Sequence, residues 1–200
     1  MEFITLLILI AMGAYLVKSK DQNRRIALLG SHLGEHQIEK LMETLTEGYL
    51  RALGEPDVQR QEQVWQHLNT TEATLCAEFN LFSTEFAKVD EAATRVSKLG
   101  LIPYADQMFP SATFDLRKAL IIHAKGIARA AANSQNKSPK DKAFTMMAEL
   151  FLMQHTCHWF CRSHTVANAR ILVRHKTSHA KLVESVSPET RQAYCALTGM

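Results

Sequence analysis

The chain has 200 residues, and its 23 Lys or Arg against 20 Asp or Glu leave a net charge of only +3. Four cysteines are too sparse for the disulfide framework of a small secreted domain, so free thiols are expected. Eight Gly and five Pro, separated by long segments favouring Leu, Ala, Glu, Lys, Gln and Met, predict an all-α fold.

The charge is unevenly spread. Residues 31–110 carry six basic and thirteen acidic side chains, a balance of −7, whereas residues 111–183 carry twelve basic and three acidic, a balance of +9. An acidic hairpin packed beside a basic one in a single bundle is the simplest arrangement. The basic half also suits anionic lipid headgroups or an acidic protein partner. Nucleic acid is disfavoured, because no recognition motif accompanies the charge.

From Phe3 to Val17 no residue is charged, and the run ends at Lys18, Lys20, Arg24 and Arg25. It has no polar face and meets its basic cluster abruptly, which reads as a transmembrane anchor over residues 1–17. At ~1.5 Å per residue it covers roughly 25 Å, slightly short of a hydrocarbon core of about 30 Å. A cleaved signal peptide would carry its positive charge before the apolar run and small residues after it. Here the order is reversed, so an uncleaved anchor is expected. The positive-inside rule then places the N-terminus outside and the remainder in the cytoplasm, at an inner membrane. Residues 18–30 are expected as a basic juxtamembrane linker lying at the interface, and residues 31–200 as one cytoplasmic domain.

A first domain helix is predicted over residues 33–53, with Ile38, Leu41, Leu45, Tyr49 and Leu53 at three-to-four-residue spacing and Gly54 at its end. A second is predicted over residues 56–98. Its stripe of Val58, Gln61, Trp65, Leu68, Glu72, Leu75, Phe79, Phe82, Phe86, Val89, Ala93 and Val96 is coiled-coil-like. Trp65, Leu68, Leu75, Phe79, Phe82, Phe86 and Val89 are the candidate interaction seam, for a second copy of the chain or for another protein. Glu72 interrupts the stripe, as a partner for a basic residue of the opposite hairpin or as a polar register position. Residues 99–111 read as an apolar loop folding back on the bundle. A third helix, capped by Ser111 or Thr113, is predicted to Asn133. Ser138-Pro139 starts a fourth, running to Val166 or Lys176, and Ser187-Pro188 a short last one ending near Gly199. The whole is an elongated antiparallel bundle of about four main helices behind an anchor.

The chemistry-bearing cluster is HTCHWFCRSH, residues 155–164. On one continuous helix Cys157, Cys161 and His164 share a face and offer three ligands to Zn²⁺, with His67, Cys76, His123 or Cys195 as the fourth. Non-covalent haem is a further possibility, with His158, His164 or His123 as axial ligand. Covalent haem is excluded, because Gln154 stands where the first cysteine of CxxCH would be. The competing reading is a satisfied core histidine beside two small buried thiols, with no cofactor. His32 with His36, and His175 with His179, have chelating i,i+4 spacing but polar surroundings, and are expected to be solvated. Glu-x-x-His pairs, a Gly-rich phosphate loop, HExxH and GxSxG are all absent, so no enzymatic activity is expected. The basic segment of residues 169–181 suits a membrane surface or a partner helix. Two functions follow as expectations: a membrane-anchored protein-interaction scaffold, or a zinc- or haem-binding sensory bundle.

Overall fold

A computed structural model describes residues 2–100 and 102–200. The all-α class is as expected, and the apolar run and the first part of the body are one unbroken helix, α1 (Glu2–Leu33). Every residue of 3–17 is exposed, and the helix is long and apolar enough to cross a membrane.

Beyond Val17 the same helix becomes amphipathic. Asp21, Arg25 and Leu29, spaced by four, are buried against the body. Residues 18–30 therefore form no separate linker. Arg25, expected as a membrane-proximal cation, is instead an internal one. Its guanidinium donates to Asp21 at 3.3 Å, to Asp106 at 2.5 Å and to the Arg95 carbonyl at 3.0 Å. Arg24 lies 3.3 Å from Asp21, which leaves Lys18 and Lys20 as the cations of the cluster without a carboxylate partner among the described residues.

The four expected main helices are α2 (Ile38–Gly54), α3 (Val58–Phe86), α5 (Leu116–Ala132) and α6 (Pro139–Cys161), and they enclose the main core. Helices α2 and α3 form an antiparallel hairpin, because Gly54, Glu55 and Pro56 stop the first helix and Asp57 caps the second, accepting from the Gln59 and Arg60 amides. Leu75, Phe79, Phe82 and Phe86 are fully buried on the inner face of α3. Each such side chain contributes about 1.5–3 kcal/mol by leaving water. The candidate seam is thus used inside this chain's own core, with Trp65 and Val89 partly buried at its edge. Glu72 does pair across the hairpins: Tyr49 Oη donates to it at 2.6 Å, and Lys142 Nζ of α6 lies 2.5 Å away.

The second predicted helix stops twelve residues early, at Phe86 rather than Lys98. After a turn, the Asp90 carboxylate caps a single 3-10 turn at Ala92–Thr94. The β-branched stretch then forms strand β1 (Arg95–Ser97), paired antiparallel with β2 (Thr113–Asp115) in the register Arg95↔Asp115, Val96↔Phe114 and Ser97↔Thr113. Tertiary packing overrides helix propensity here. Val96 and Phe114 are buried, the Phe114 ring meets Trp159 at 4.9 Å, and Trp159 Nε1 donates to the Ser97 carbonyl. Between the strands lies the one-turn helix α4 (Ala105–Met108). Asp115 caps α5, accepting from the Arg117 amide, in place of the expected Ser111 or Thr113.

The fourth predicted helix is also divided. It ends at Cys161, Arg162 leaves the helical region, and Ser163 caps α7 (His164–His175), accepting from the Val166 amide. Lys176 reverses the chain in the left-handed conformation, and Ser178 caps α8 (His179–Ser185), an element the sequence did not announce. The last helix, α9 (Pro188–Thr198), ends at Gly199 as expected. With α6 these short helices enclose a second core around Leu152, Ile171, Leu182, Val186 and Tyr194.

Candidate metal centre

The break at Arg162 decides which side chains meet. His155 points from α6, His164 opens α7 and His179 opens α8, each of the latter directly after its capping serine. Ser163 and Ser178 bond the amides at the third position of their helices and so aim the adjacent histidines at the same point. One candidate ligand atom from each of His155, His164 and His179 lies within 4.8 Å of the other two. The rings of His155 and His179 stack at 4.0 Å, and His164 meets them edge-on at 5.4 and 5.3 Å, backed by Trp159 at 4.4 Å.

Two nitrogens in this cluster have no hydrogen-bond partner among the described residues. His155 Nε2 lies 2.7 Å from the Asn168 amide oxygen, which can only accept, so Nε2 carries the proton and Nδ1 presents a bare lone pair. That Nδ1 is buried without a hydrogen bond, and so is His164 Nε2. Buried polar atoms are almost always satisfied, so two orphans in one cluster call for an explanation. His179 Nε2 approaches the Tyr194 hydroxyl at 3.4 Å.

All three rings are held neutral. Burial pushes His155 down to about 3, helped by the neighbouring His179 and His164 against the raising effect of the Asn168 bond. Burial and His164 push His179 down to about 4, and burial lowers His164. Neutral imidazole is the form that binds a metal ion, so at pH 7 no proton competes. Three imidazoles suit Zn²⁺, Cu²⁺ or Ni²⁺ and leave a fourth position for water or another small ligand. A tetrahedral ion with Zn–N of 2.0–2.1 Å needs nitrogens roughly 3.3 Å apart, so no pair has to close by more than about 1.5 Å. Asn168 is the outer partner that fixes the tautomer of His155. Haem fits less well, since His155, His164, His179 and Trp159 pack against one another with ring centroids 4.0–5.4 Å apart and a porphyrin would have to part them.

The ligand set expected from the sequence is only partly assembled. His164 belongs to the cluster, but Cys157 and Cys161 do not. Cys157 sits two residues beyond His155, about 200° around α6, and both thiols line a groove against Ile26, Leu29 and Leu33 of α1 and Met42 of α2. Burial raises both thiols, Cys161 to about 11, so they stay protonated at neutral pH. His123 lies outside the cluster, but a chain of polar contacts reaches it: Tyr194 to Thr156 at 3.4 Å, and Thr156 to His123 Nε2 at 2.9 Å. His158 turns outward toward Arg170. The i,i+4 histidines are not the solvated pairs expected. His36 is held between Glu78 and Glu85, His175 stacks on Phe151 at 3.7 Å, and His179 is a cluster member. Sequence reasoning missed His155 and His179 as partners of His164. The available signal was the repeated Ser-His pair at 163–164 and 178–179, a capping serine followed by a ligand.

No protein-family model, curated protein or solved structure matches this chain.

Proposed function

We propose that this protein is a single-pass, membrane-anchored helical domain that binds one divalent transition-metal ion, zinc by preference, through His155, His164 and His179. The observation that carries the reading is the pair of buried, unpartnered imidazole nitrogens, His155 Nδ1 and His164 Nε2, facing a third neutral histidine. Three ligands from three successive helices make the ion a clasp, closing α7 and α8 onto α6, so metal occupancy sets the position of α7. The outer face of α7 exposes Leu172 (55%) and Val173 (70%) between Arg170, Arg174 and Lys176. That apolar and basic face favours a second role, as a docking module for an acidic protein partner at the cytoplasmic side of the membrane. The charge order around the apolar run supports this orientation.

The test is elemental analysis of the full-length chain, extracted in detergent without a His tag or added metal. About one equivalent of zinc is expected, lost in His164→Gln and in His179→Gln but retained in Cys157→Ser/Cys161→Ser. Cobalt substitution should give d–d bands without thiolate charge transfer. A metal-free protein whose thermal unfolding is unmoved by zinc, cobalt or nickel would overturn the reading. For the docking role, Val173→Asp should abolish association with a partner that the parent chain retains, and C-terminal reporter fusions check the orientation.

A further inference from the structure

We infer that the excursion between β1 and β2, in its described residues 98–100 and 102–112, is a second membrane contact: a foot that seats Leu99 and Ile102 in the headgroup and upper acyl region of the same bilayer that α1 crosses. The inference rests on the membrane-anchor reading and goes beyond it.

The excursion's level is fixed by its bonds to α1. Lys18 Nζ, on the residue immediately after the apolar run, donates to the Gly100 carbonyl at 3.3 Å. One turn further, Asp21 Oδ2 accepts from the Tyr104 amide at 3.3 Å, and Arg24 lies over the Tyr104 ring at 5.8 Å. Another turn on, Arg25 grips Asp106. Three successive turns of α1 therefore hold the segment, with Gly100 at the height where the apolar run stops. If residues 3–17 fill the hydrocarbon, Gly100 lies at its edge.

The side chains around that point suit this place. Leu99 is 38% and Ile102 43% exposed, on either side of Gly100, and Met108 and Phe109 are exposed on the same excursion. In a water-soluble setting so much apolar area on one short segment has no cover. Lys20 and Lys98 are exposed on the two segments that Lys18 joins, and suit anionic headgroups, each cation near such a surface contributing about 1 kcal/mol. Apolar side chains beside basic ones, at the height of a span's end, are the composition of an interfacial element. The short span of α1 is thereby supplemented by a second point of attachment, and the body is held at a set angle to the bilayer.

The test uses the full chain in vesicles of zwitterionic and anionic phospholipid, with brominated acyl chains as quenchers. Trp159, which bonds the Ser97 carbonyl at the base of the excursion, is first replaced by Phe, and the remaining native Trp65 provides the baseline. Tryptophan is added singly by Leu9→Trp in the span, Ile102→Trp or Phe109→Trp in the foot, and Val58→Trp at the start of α3. The emission of the tryptophan added at 9 and at 102 should fall at least twofold with brominated lipid, while that at 58 stays within a tenth of its value. Quenching at 9 without quenching at 102 or 109 overturns the foot and leaves the anchor standing. No quenching at 9 overturns both, and equal quenching at 58 overturns the foot by showing a body that lies on the membrane without orientation.

Discussion

Acid should unfold this domain unusually steeply, through histidines that the fold keeps neutral. His123, His155 and His179 are at most 9% exposed. Burial lowers them from 6.5 to about 3, 3 and 4 respectively, with His179 and His164 adding to the effect at His155, and His164 at His179. Between pH 6.5 and those values the unfolded chain binds protons that the folded chain refuses, so stability falls as pH falls. At pH 5.5 each unfolded histidine is about nine-tenths protonated, which makes nearly three protons taken up on unfolding, or ~4 kcal/mol per pH unit. Glu149 opposes this by one proton at most. Burial raises its pKa despite the Ser187 and Thr190 hydrogen bonds and the nearby Arg129. His158, lowered to about 4 by burial and by Arg170, Arg174 and His175, adds nearly one proton, so the net slope should be about three protons or more, large against a typical stability of about 5–15 kcal/mol. Urea unfolding of the full chain in nonionic detergent with EDTA, from pH 7.5 down to 5.0, measures it. His123→Leu should remove about one proton. A slope below one proton near pH 5.5 would refute the claim that these rings are buried and neutral.

Arg25→Met should cost about 3–5 kcal/mol, because it strands Asp21 and Asp106, both buried, without their main counter-charge; a urea-measured loss under 1 kcal/mol would mean that Arg24 or solvent takes over. For Glu72 and Lys142, a double-mutant cycle with Glu72→Gln and Lys142→Met should return a coupling of at least ~1 kcal/mol, and additivity would show that the pair is not formed. Gly126→Ala should lower stability by about 1–3 kcal/mol despite alanine's better helix propensity. Its Cβ would clash with Glu149 Oε2, on a carboxylate that Ser187 holds through Oε1, and would stand 2.5 Å from Thr190 Oγ1; a stabilised variant would place that carboxylate elsewhere. Zinc at a hundred times its dissociation constant should raise unfolding free energy by about 2.7 kcal/mol in the parent chain and leave His164→Gln unchanged.

Much of the architecture was legible because it depends on short-range rules. A charge-free run needs no neighbours to be recognised. The period of Leu75, Phe79, Phe82 and Phe86 declares a buried helical face, and Gly54, Ser138-Pro139 and Gly199 mark helix ends by their own backbone chemistry. For Glu72 the sequence offered two readings, a basic partner or a polar register position, and the structure pairs it with Lys142 of the basic half and with Tyr49.

What a stripe cannot say is whose core it enters. Phe79 and Phe82 read equally well as a seam for a second copy or as this chain's own interior, and only the placement of α2, α5 and α6 decided for the interior. Helix ends that lack Gly or Pro were equally opaque. At Phe86 and at Cys161 local propensity favours continuation; after Phe86 the chain leaves the helix and Val96 pairs with Phe114 over Trp159, and after Cys161 Ser163 caps a new helix. That second stop set the site. A straight helix through residue 164 would have put His164 beside Cys157 and Cys161. The turn at Ser163 carries it to the far side of α6, where His155 and, through a second serine-capped turn, His179 wait fifteen residues on. Sequence alone determined an apolar N-terminal run, a helical body and the residue types available for chemistry, because these follow from neighbours along the chain. Tertiary structure alone determined that three histidines meet, because a turn of two residues redirects a side chain by half a helix circumference, and no periodicity records it.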